Sequence, residues 1–314
     1  MSPQDPSRPR RIRRVAPVVS ALLVPTVVAA VLTAAGPAQA ASRHPHRGHH
    51  HHHAKVFFGA VGQSRHELRK VFHARVANHS YGQLTGGVPK GRMITMRDSG
   101  VKWSAVASAK PGSSIYANIV RWADTLKTRR GPIFFAYHHE PEASGSSTYG
   151  TAANFKAAFR HVVTIFRHHG VHNVRYTWQM TSWSFQTSHT DPRAAWRWYP
   201  GDKYVDVVSS DAYNWFTNPP GVGVWQQLAS VGNPTLKFAK AHHKTVVFGE
   251  YGCAASSRRA GWLRAVKKYF IKHRDIIRGA FYFQLSTDYD WRLKTAAEMS
   301  AFRSAADDRK YFRS

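Results

Sequence analysis

The chain holds five glutamates, Glu67, Glu140, Glu142, Glu250 and Glu298, and two of them close apolar runs. Glu140 follows Ile133-Phe134-Phe135-Ala136-Tyr137-His138-His139, and Glu250 follows Val246-Val247-Phe248-Gly249. A carboxyl group at the tip of a buried strand is held by rigid backbone and still meets solvent. Two such groups facing each other can share the work at an acetal carbon. One protonates the departing oxygen and the other attacks as a carboxylate, the pair standing about 5 to 5.5 Å apart. That division requires surroundings that push the two proton affinities apart. Spacing along the chain does not set the distance, and the alternative is two strand-end glutamates ion-paired within a very basic chain.

The elements that must position them read as strands and helices in alternation. Short apolar runs, many continuous rather than alternating, suit strands buried on both faces, as in parallel sheets. They fall at Val56 to Val61, Ala74 to Asn78, Arg92 to Arg97, Pro132 to Tyr137, Val174 to Gln179, Val205 to Asp211, Thr245 to Glu250 and Arg278 to Gln284. Helical patterns occupy Ser64 to Phe72, Ser114 to Arg129, Thr151 to His169, Trp225 to His242, Ser256 to His273 and Thr295 to Ala305. The connections after the second and fifth strands carry only weak helical pattern. Eight strands alternating with helices over some 250 residues predict an α/β fold, a single (β/α)8 TIM barrel, with the active face at the C-terminal ends of the strands. A doubly wound sheet is the competing architecture, but Gly59-Ala60-Val61-Gly62 is too short for a nucleotide-binding glycine loop.

Several segments together resemble glycoside hydrolase family 26, the β-mannanase family of the large retaining barrel clan, over most of Val56 to Ala305. They are His138-His139-Glu140, Tyr199-Pro200-Gly201-Asp202-Lys203-Tyr204-Val205-Asp206 leading into Asp211-Ala212-Tyr213-Asn214, Gly249-Glu250-Tyr251-Gly252, and Asp290-Trp291-Arg292. The resemblance implies that Glu140 is the acid/base and Glu250 the nucleophile, with His139 in place of the family histidine before the acid/base. Tyr213 matches the tyrosine that hydrogen-bonds the nucleophile, and Trp291 and Arg292 match the loop that walls the sugar site. It implies a β-glycan substrate, β-mannan first, with β-glucan or xylan as alternatives. The chain departs from the family pattern at Ala136-Tyr137, at Pro141-Glu142 and at Arg97-Asp98, changes that bear on substrate more than on mechanism.

Ten tryptophans are many for this length. Trp178, Trp183, Trp215, Trp225 and Trp291 lie near expected strand ends or loops, where indoles stack on the CH faces of sugars. Trp215 and Trp291 are read as sugar contacts and Trp178 as a further candidate, whereas Trp122 and Trp262 are assigned to the core. Asn214, Asp211 and Gln179 are placed either to meet sugar hydroxyls or to satisfy buried strand ends. The reaction asks for no cofactor and no metal. His139-Glu140 does not begin an H-E-x-x-H motif, since Ala143 stands where the second histidine would. The clusters His168-His169 and His242-His243 fall at helix ends, where cationic side chains meet free carbonyls. Cys253, the lone cysteine, is read as a packing residue and excludes an intramolecular disulfide.

Residues 1–40 have the order of a signal peptide: a basic start, an apolar stretch from Ala16 to Gly36, and Ala38-Gln39-Ala40 before Ala41. A retained membrane anchor is the alternative, against which Pro25 and the small-residue site argue. Residues 41–54, with five consecutive histidines from His49, read as a disordered linker, leaving 55–314 as one catalytic domain. Export predicts a secreted or wall-associated monomer. The formal charge is +28 over the whole chain. Such a surface fits electrostatic association with acidic wall polymers. No nucleic-acid-binding signature is present and the basic residues are dispersed, which argues against a nucleic acid partner. A carbohydrate-binding barrel that lost turnover and a basic wall-anchoring protein are the readings from other classes.

Overall fold

In the computed structural model, residues 54–314 are described except Gln63, Ser99 and residues 145–147. The expected signal segment and nearly all of the histidine-rich linker lie outside the described residues. Eight strands form the ring: β1 (Val56–Val61), β2 (Ala77–Gln83), β3 (Met93–Arg97), β4 (Ile133–His139), β5 (Val174–Thr181), β6 (Val207–Asn214), β7 (Thr245–Cys253) and β8 (Ile277–Phe283). Neighbours in sequence pair in parallel, and β1 bonds both β2 and β8, which closes the barrel. A two-residue strand β9 (Phe312–Arg313) adds beside the start of β1.

The helices are α1 (Arg65–Phe72), α2 (Trp103–Ala107), α3 (Ser114–Lys127), α4 (Pro141–Ser144), α5 (Ala152–His168), α6 (Ala195–Trp198), α7 (Leu228–Ala241), α8 (Arg259–Lys272) and α9 (Ala296–Ala306). Their starts follow local chemistry. Ser64 with Glu67, Thr151 with Asn154, and Thr295 with Glu298 form reciprocal caps that satisfy the first free backbone N–H groups. The segment between β2 and β3 has no helix, and that between β5 and β6 holds only a 3-10 turn, Ser182–Phe185, and the four-residue α6. These are the two connections with weak helical pattern.

Alternation along each strand sorts side chains between two cores. Phe57, Val61, Met93, Phe134, Val207, Val247 and Phe281, drawn from seven of the eight ring strands together with Ala77 and Ala136, fill the barrel interior. Their neighbours, Phe135, Tyr137, Trp178 and Phe248 among them, pack outward against the helices with Trp122, Phe166 and Trp262. Trp122 and Trp262 are thus core residues, as expected.

Apolar runs place most strands well but miss their upper ends. Strands β4, β5, β6 and β7 run two or three residues past the expected stops. Strand β2 begins at Ala77 rather than Ala74 and continues through Ser80, Tyr81 and Gln83. Those that line the mouth, such as Ser80, Tyr81, His139, Thr181 and Tyr213, carry polar groups, so hydrophobicity does not mark them as strand.

Candidate active site

Glu250 sits on β7, buried at 6% exposure, with both carboxyl oxygens taken by phenols. Tyr213, on the adjacent β6, donates to Oε2 at 2.5 Å. Tyr81, from β2 across the barrel, donates to Oε1. Burial raises the Glu250 proton affinity above that of an ordinary carboxylate, and the two phenols and the Arg97 guanidinium offset part of that rise.

The backbone before Glu250 is fixed from below. His79, fully buried on β2, bonds the Gly249 carbonyl through Nδ1 at 2.8 Å, so that nitrogen is the donor. Its Nε2 therefore accepts from Thr95 Oγ1 at 2.8 Å. Burial lowers the His79 pKa to about 3, which keeps the ring neutral. Gly249 itself must lack a side chain: a Cβ there would stand 2.6 Å from Gln179 Nε2 and 2.8 Å from Ser209 Oγ.

Glu140 lies one residue past the end of β4, with φ of 46°, after His138 at φ of 50°. The β4–β5 register shifts between Ala136 and His139, and the Glu140 N–H donates to the Gln179 carbonyl at 3.1 Å. This bulge re-aims the strand end into the mouth. Behind it His138 bonds Asp98, which also accepts from Trp103 Nε1 at 2.9 Å.

The Glu140 carboxyl shares a hydrogen bond with Asp211. Two buried carboxyl groups in contact must carry at least one proton between them. Gln179 Nε2 donates to both Asp211 oxygens at 2.8 and 2.9 Å and orients that group. Burial, then the charges of Glu250 and Glu142, push the Glu140 pKa up to about 8. Glu142, two residues further on, is also buried and is pushed up to about 7, chiefly by burial, while Thr181 bonds its Oε1 through both N–H and hydroxyl.

Two cavities meet at Glu140. One, of about 1000 Å³, is lined by Tyr81, Arg97, His139, Glu140 and Glu250, with residues from the β1–α1 and β2–β3 connections and from the end of β8 and the loop after it. The other, of about 470 Å³, is lined by Glu140, Glu142, Trp183, Asp211, Tyr213 and Trp215, among others. Together they give space on both sides of one acid group.

Of the residues expected at the site, Glu140, Glu250, His139, Tyr213 and Trp215 line these cavities. Burial pushes His139 well below its ordinary pKa, so its ring is neutral. Trp291 is 2% exposed and lines neither cavity; its ring lies 4.7 Å from that of Tyr213 and braces it. Arg292 lines neither: it points to solvent and pairs with Asp290 at 2.8 Å.

With Trp291 and Arg292, four of the expected contacts lie away from the mouth, the other two being Trp178 and Asn214. Trp178 is fully buried against Tyr199, Phe238 and Phe185, on the outer face of β5, because alternation gives the inward position to Gln179. Asn214 is also fully buried, and its amide ties Cys253 Sγ to the Gln226 N–H rather than facing the mouth. Cys253 is buried and free, its thiol pushed up to about 12 by burial.

The apolar pattern does not mark Tyr81 or His79, and Arg97 enters it only as a strand end that departs from the family. Tyr81 and His79 lie on β2, which is polar over its upper part, and only the Tyr81 spacing of four residues past Ala77 marks an upper strand end.

A sequence model of Glycosyl hydrolase family 26 matches residues 109–273, more than half of the chain. The chain belongs to this family. The barrel of this family 26 chain has counterparts among solved structures. A β-mannanase of family 26 from Bacteroides ovatus superposes with a TM-score of 0.55 at 16% identity, over 82% of this chain and 90% of that one. A modular endo-β-1,4-mannanase from Cellulomonas fimi gives 0.57 at 17%, over 82% and 72%. Among curated proteins, Endoglucanase H of Acetivibrio thermocellus is 29% identical over 200 residues, covering 60% of this family 26 chain. The match spans only 22% of that relative's length.

Proposed function

We propose that the protein is an exported, retaining endo-β-1,4-glycanase whose first substrate is β-mannan. Glu140 gives its proton to the glycosidic oxygen, the C1–O bond breaks with its electron pair moving to that oxygen, and a Glu250 oxygen bonds C1. Glu140, now a carboxylate, takes a proton from water as the water oxygen attacks C1 and frees Glu250.

The observation that carries this reading is the difference between the two carboxyls. Glu140 is pushed to about 8 by burial and like charge, which keeps the acid loaded near neutrality, while Glu250 receives two phenol donors and an arginine field that favour the carboxylate. Cavities on both sides of Glu140 support cleavage within a chain. Neutral His139 and the exposed indole of Trp183 suit sugar hydroxyls and ring faces. β-Glucan is the second reading, because the curated relative is named an endoglucanase. The arginine-led apolar segment before Ala41 supports secretion, and the net charge of +28 supports retention on acidic wall polymers.

The test is release of reducing ends from galactomannan, glucomannan, mixed-linkage glucan and xylan by residues 41–314, beside Glu250→Ala. Release from mannan or glucomannan that the variant abolishes is expected. Release unaffected by the variant, or none from any polymer by the folded protein, overturns the reading.

A further inference from the structure

The cleft is electrically lopsided. Among the described residues, the larger cavity is lined by Arg65, Lys90 and Arg97 and by the carboxyls of Glu140 and Glu250 alone. The smaller is lined, among the described residues, by Glu140, Glu142 and Asp211 and by the single cation Arg193, which is bonded to Asp191. Among the described residues, none of Arg65, Lys90 and Arg97 forms an ion pair, whereas Arg259, Arg292 and Lys267 each find a carboxylate. Arg97 acts on both Glu140 and Glu250 and serves as their counter-charge. Lys90 and Arg65 are surplus to that role.

Arg97 ends β3, Arg65 opens α1, and Lys90 stands in the loop between β2 and β3. The Arg97 guanidinium lies 4.7 Å over the ring of Tyr81, the residue bonded to Glu250. The Lys90 carbonyl accepts from Asn78 Nδ2 at 2.9 Å and from Ser80 Oγ at 3.0 Å, and both of these residues line the cavity. Arg65 opens α1 directly after its cap Ser64. A cavity walled by three exposed cations, two of them with no counter-charge of their own, favours a bound anion, and donors of this kind give charge-assisted hydrogen bonds.

Its side is also defined. Glu250 lines this cavity and not the other, while Glu140 lines both. The sugar that bonds to Glu250, and those attached behind it, therefore occupy the cationic cavity.

We propose that this cavity takes a glycan unit bearing an anionic group, a uronic carboxylate or a phosphate or sulfate ester, on the glycone side of the bond cleaved. The inference rests on the roles given above to Glu140 and Glu250. The neutral polar lining of Asn78 and Ser80 meets the hydroxyls of the same unit, and the acidic smaller cavity repels a second anion on the leaving side.

The experiment compares kcat/KM on glucomannan with that on the same polymer partly oxidised at C6 to carboxylate, partly phosphorylated, or partly sulfated. Because the whole surface is basic, the deciding protein is the Arg65→Gln, Lys90→Gln double variant, which removes two charges of the many. At least one anionic polymer is expected to be cut about tenfold faster than the neutral one, with the double variant losing most of that ratio. The anionic unit is expected on the fragment that keeps the new reducing end; which polymer wins names the anion. A neutral polymer cut as fast, a ratio the double variant leaves unmoved, or charge confined to the other fragment overturns the proposal. If no polymer is cut, the glycosidase reading fails separately. Affinity electrophoresis of Glu250→Ala in gels holding each polymer then decides the site: retardation by an anionic polymer that the double variant loses upholds it, and equal retardation overturns it.

Discussion

The Tyr213 hydroxyl on β6 and the Glu250 carboxylate on β7 are joined by a 2.5 Å hydrogen bond, made possible by the parallel register that sets Tyr213 opposite Gly252. A Cβ at Gly252 would stand 2.7 Å from Tyr213 Cε1, so the missing side chain gives the ring its place. Trp291 packs against the same ring, 4.7 Å between centroids.

Removing this donor tests the state of Glu250. Tyr213→Phe is expected to lower kcat about 10- to 150-fold, the equivalent of about 1.5 to 3 kcal/mol for a hydrogen bond to a charged group. With one phenol gone the carboxylate is less favoured, so the Glu250 pKa rises and the acid limb of the pH–rate profile moves to higher pH. An unmoved acid limb contradicts the account.

The acid function of Glu140 sets the other limb. Its pKa of about 8 means that it is protonated below that pH, so kcat/KM is expected to fall as pH rises through about 8. In Glu140→Gln that limb disappears. Glycosides with a strongly acidic phenol as leaving group need no proton and should still glycosylate Glu250 of the variant, which burst kinetics would reveal; equal impairment on activated and natural substrates argues against the role.

Arg259 and Glu298 form a buried ion pair of 2.7 Å that also gathers the Cys253 and Arg292 carbonyls, tying β7 to the loop after β8. Breaking it with Glu298→Ala leaves an arginine buried without its partner and is expected to cost about 3 to 5 kcal/mol, read in denaturant unfolding. The Glu298 pKa is lowered from 4.5 to about 2, so the pair's contribution is complete above about pH 4.5 and is lost as pH falls toward 2. A variant whose stability matches the parent at pH 7 would contradict this.

Gly249→Ala places a methyl carbon against Gln179 and Ser209 within the closed ring, where neither backbone nor barrel can yield freely. The expected loss is about 1 to 3 kcal/mol, seen as a lower Tm in calorimetry, with activity reduced as Gln179 shifts from Asp211. Unchanged Tm and activity would show that the packing is looser than described.

How much of this was legible in the residues depends on the kind of signal. Glu140 and Glu250 stood out because each ends an apolar run, and apolar runs mark barrel strands. Trp178 was misplaced because its neighbour Gln179 takes the inward position: the two-residue period of a strand, not closeness to its end, decides which side chain reaches the mouth. Tyr81 was missed because β2 is polar over Asn78 to Gln83, where the strand faces the cleft, so hydrophobicity shifted the expected strand three residues early. Trp291 and Asn214 carry functional-looking side chains that support Tyr213 and the β6–β7 pair from behind. Which face of a strand a side chain occupies follows from register, and register comes from ring closure rather than from local sequence.

The most direct test of the double-displacement account is the anomer first formed on cleavage, followed by proton NMR on whichever polymer the protein cuts. The account predicts that the β-anomer of the new reducing end appears first and that the α-anomer grows in only by mutarotation. Initial appearance of the α-anomer would mean direct attack by water and would remove Glu250 from the role of nucleophile.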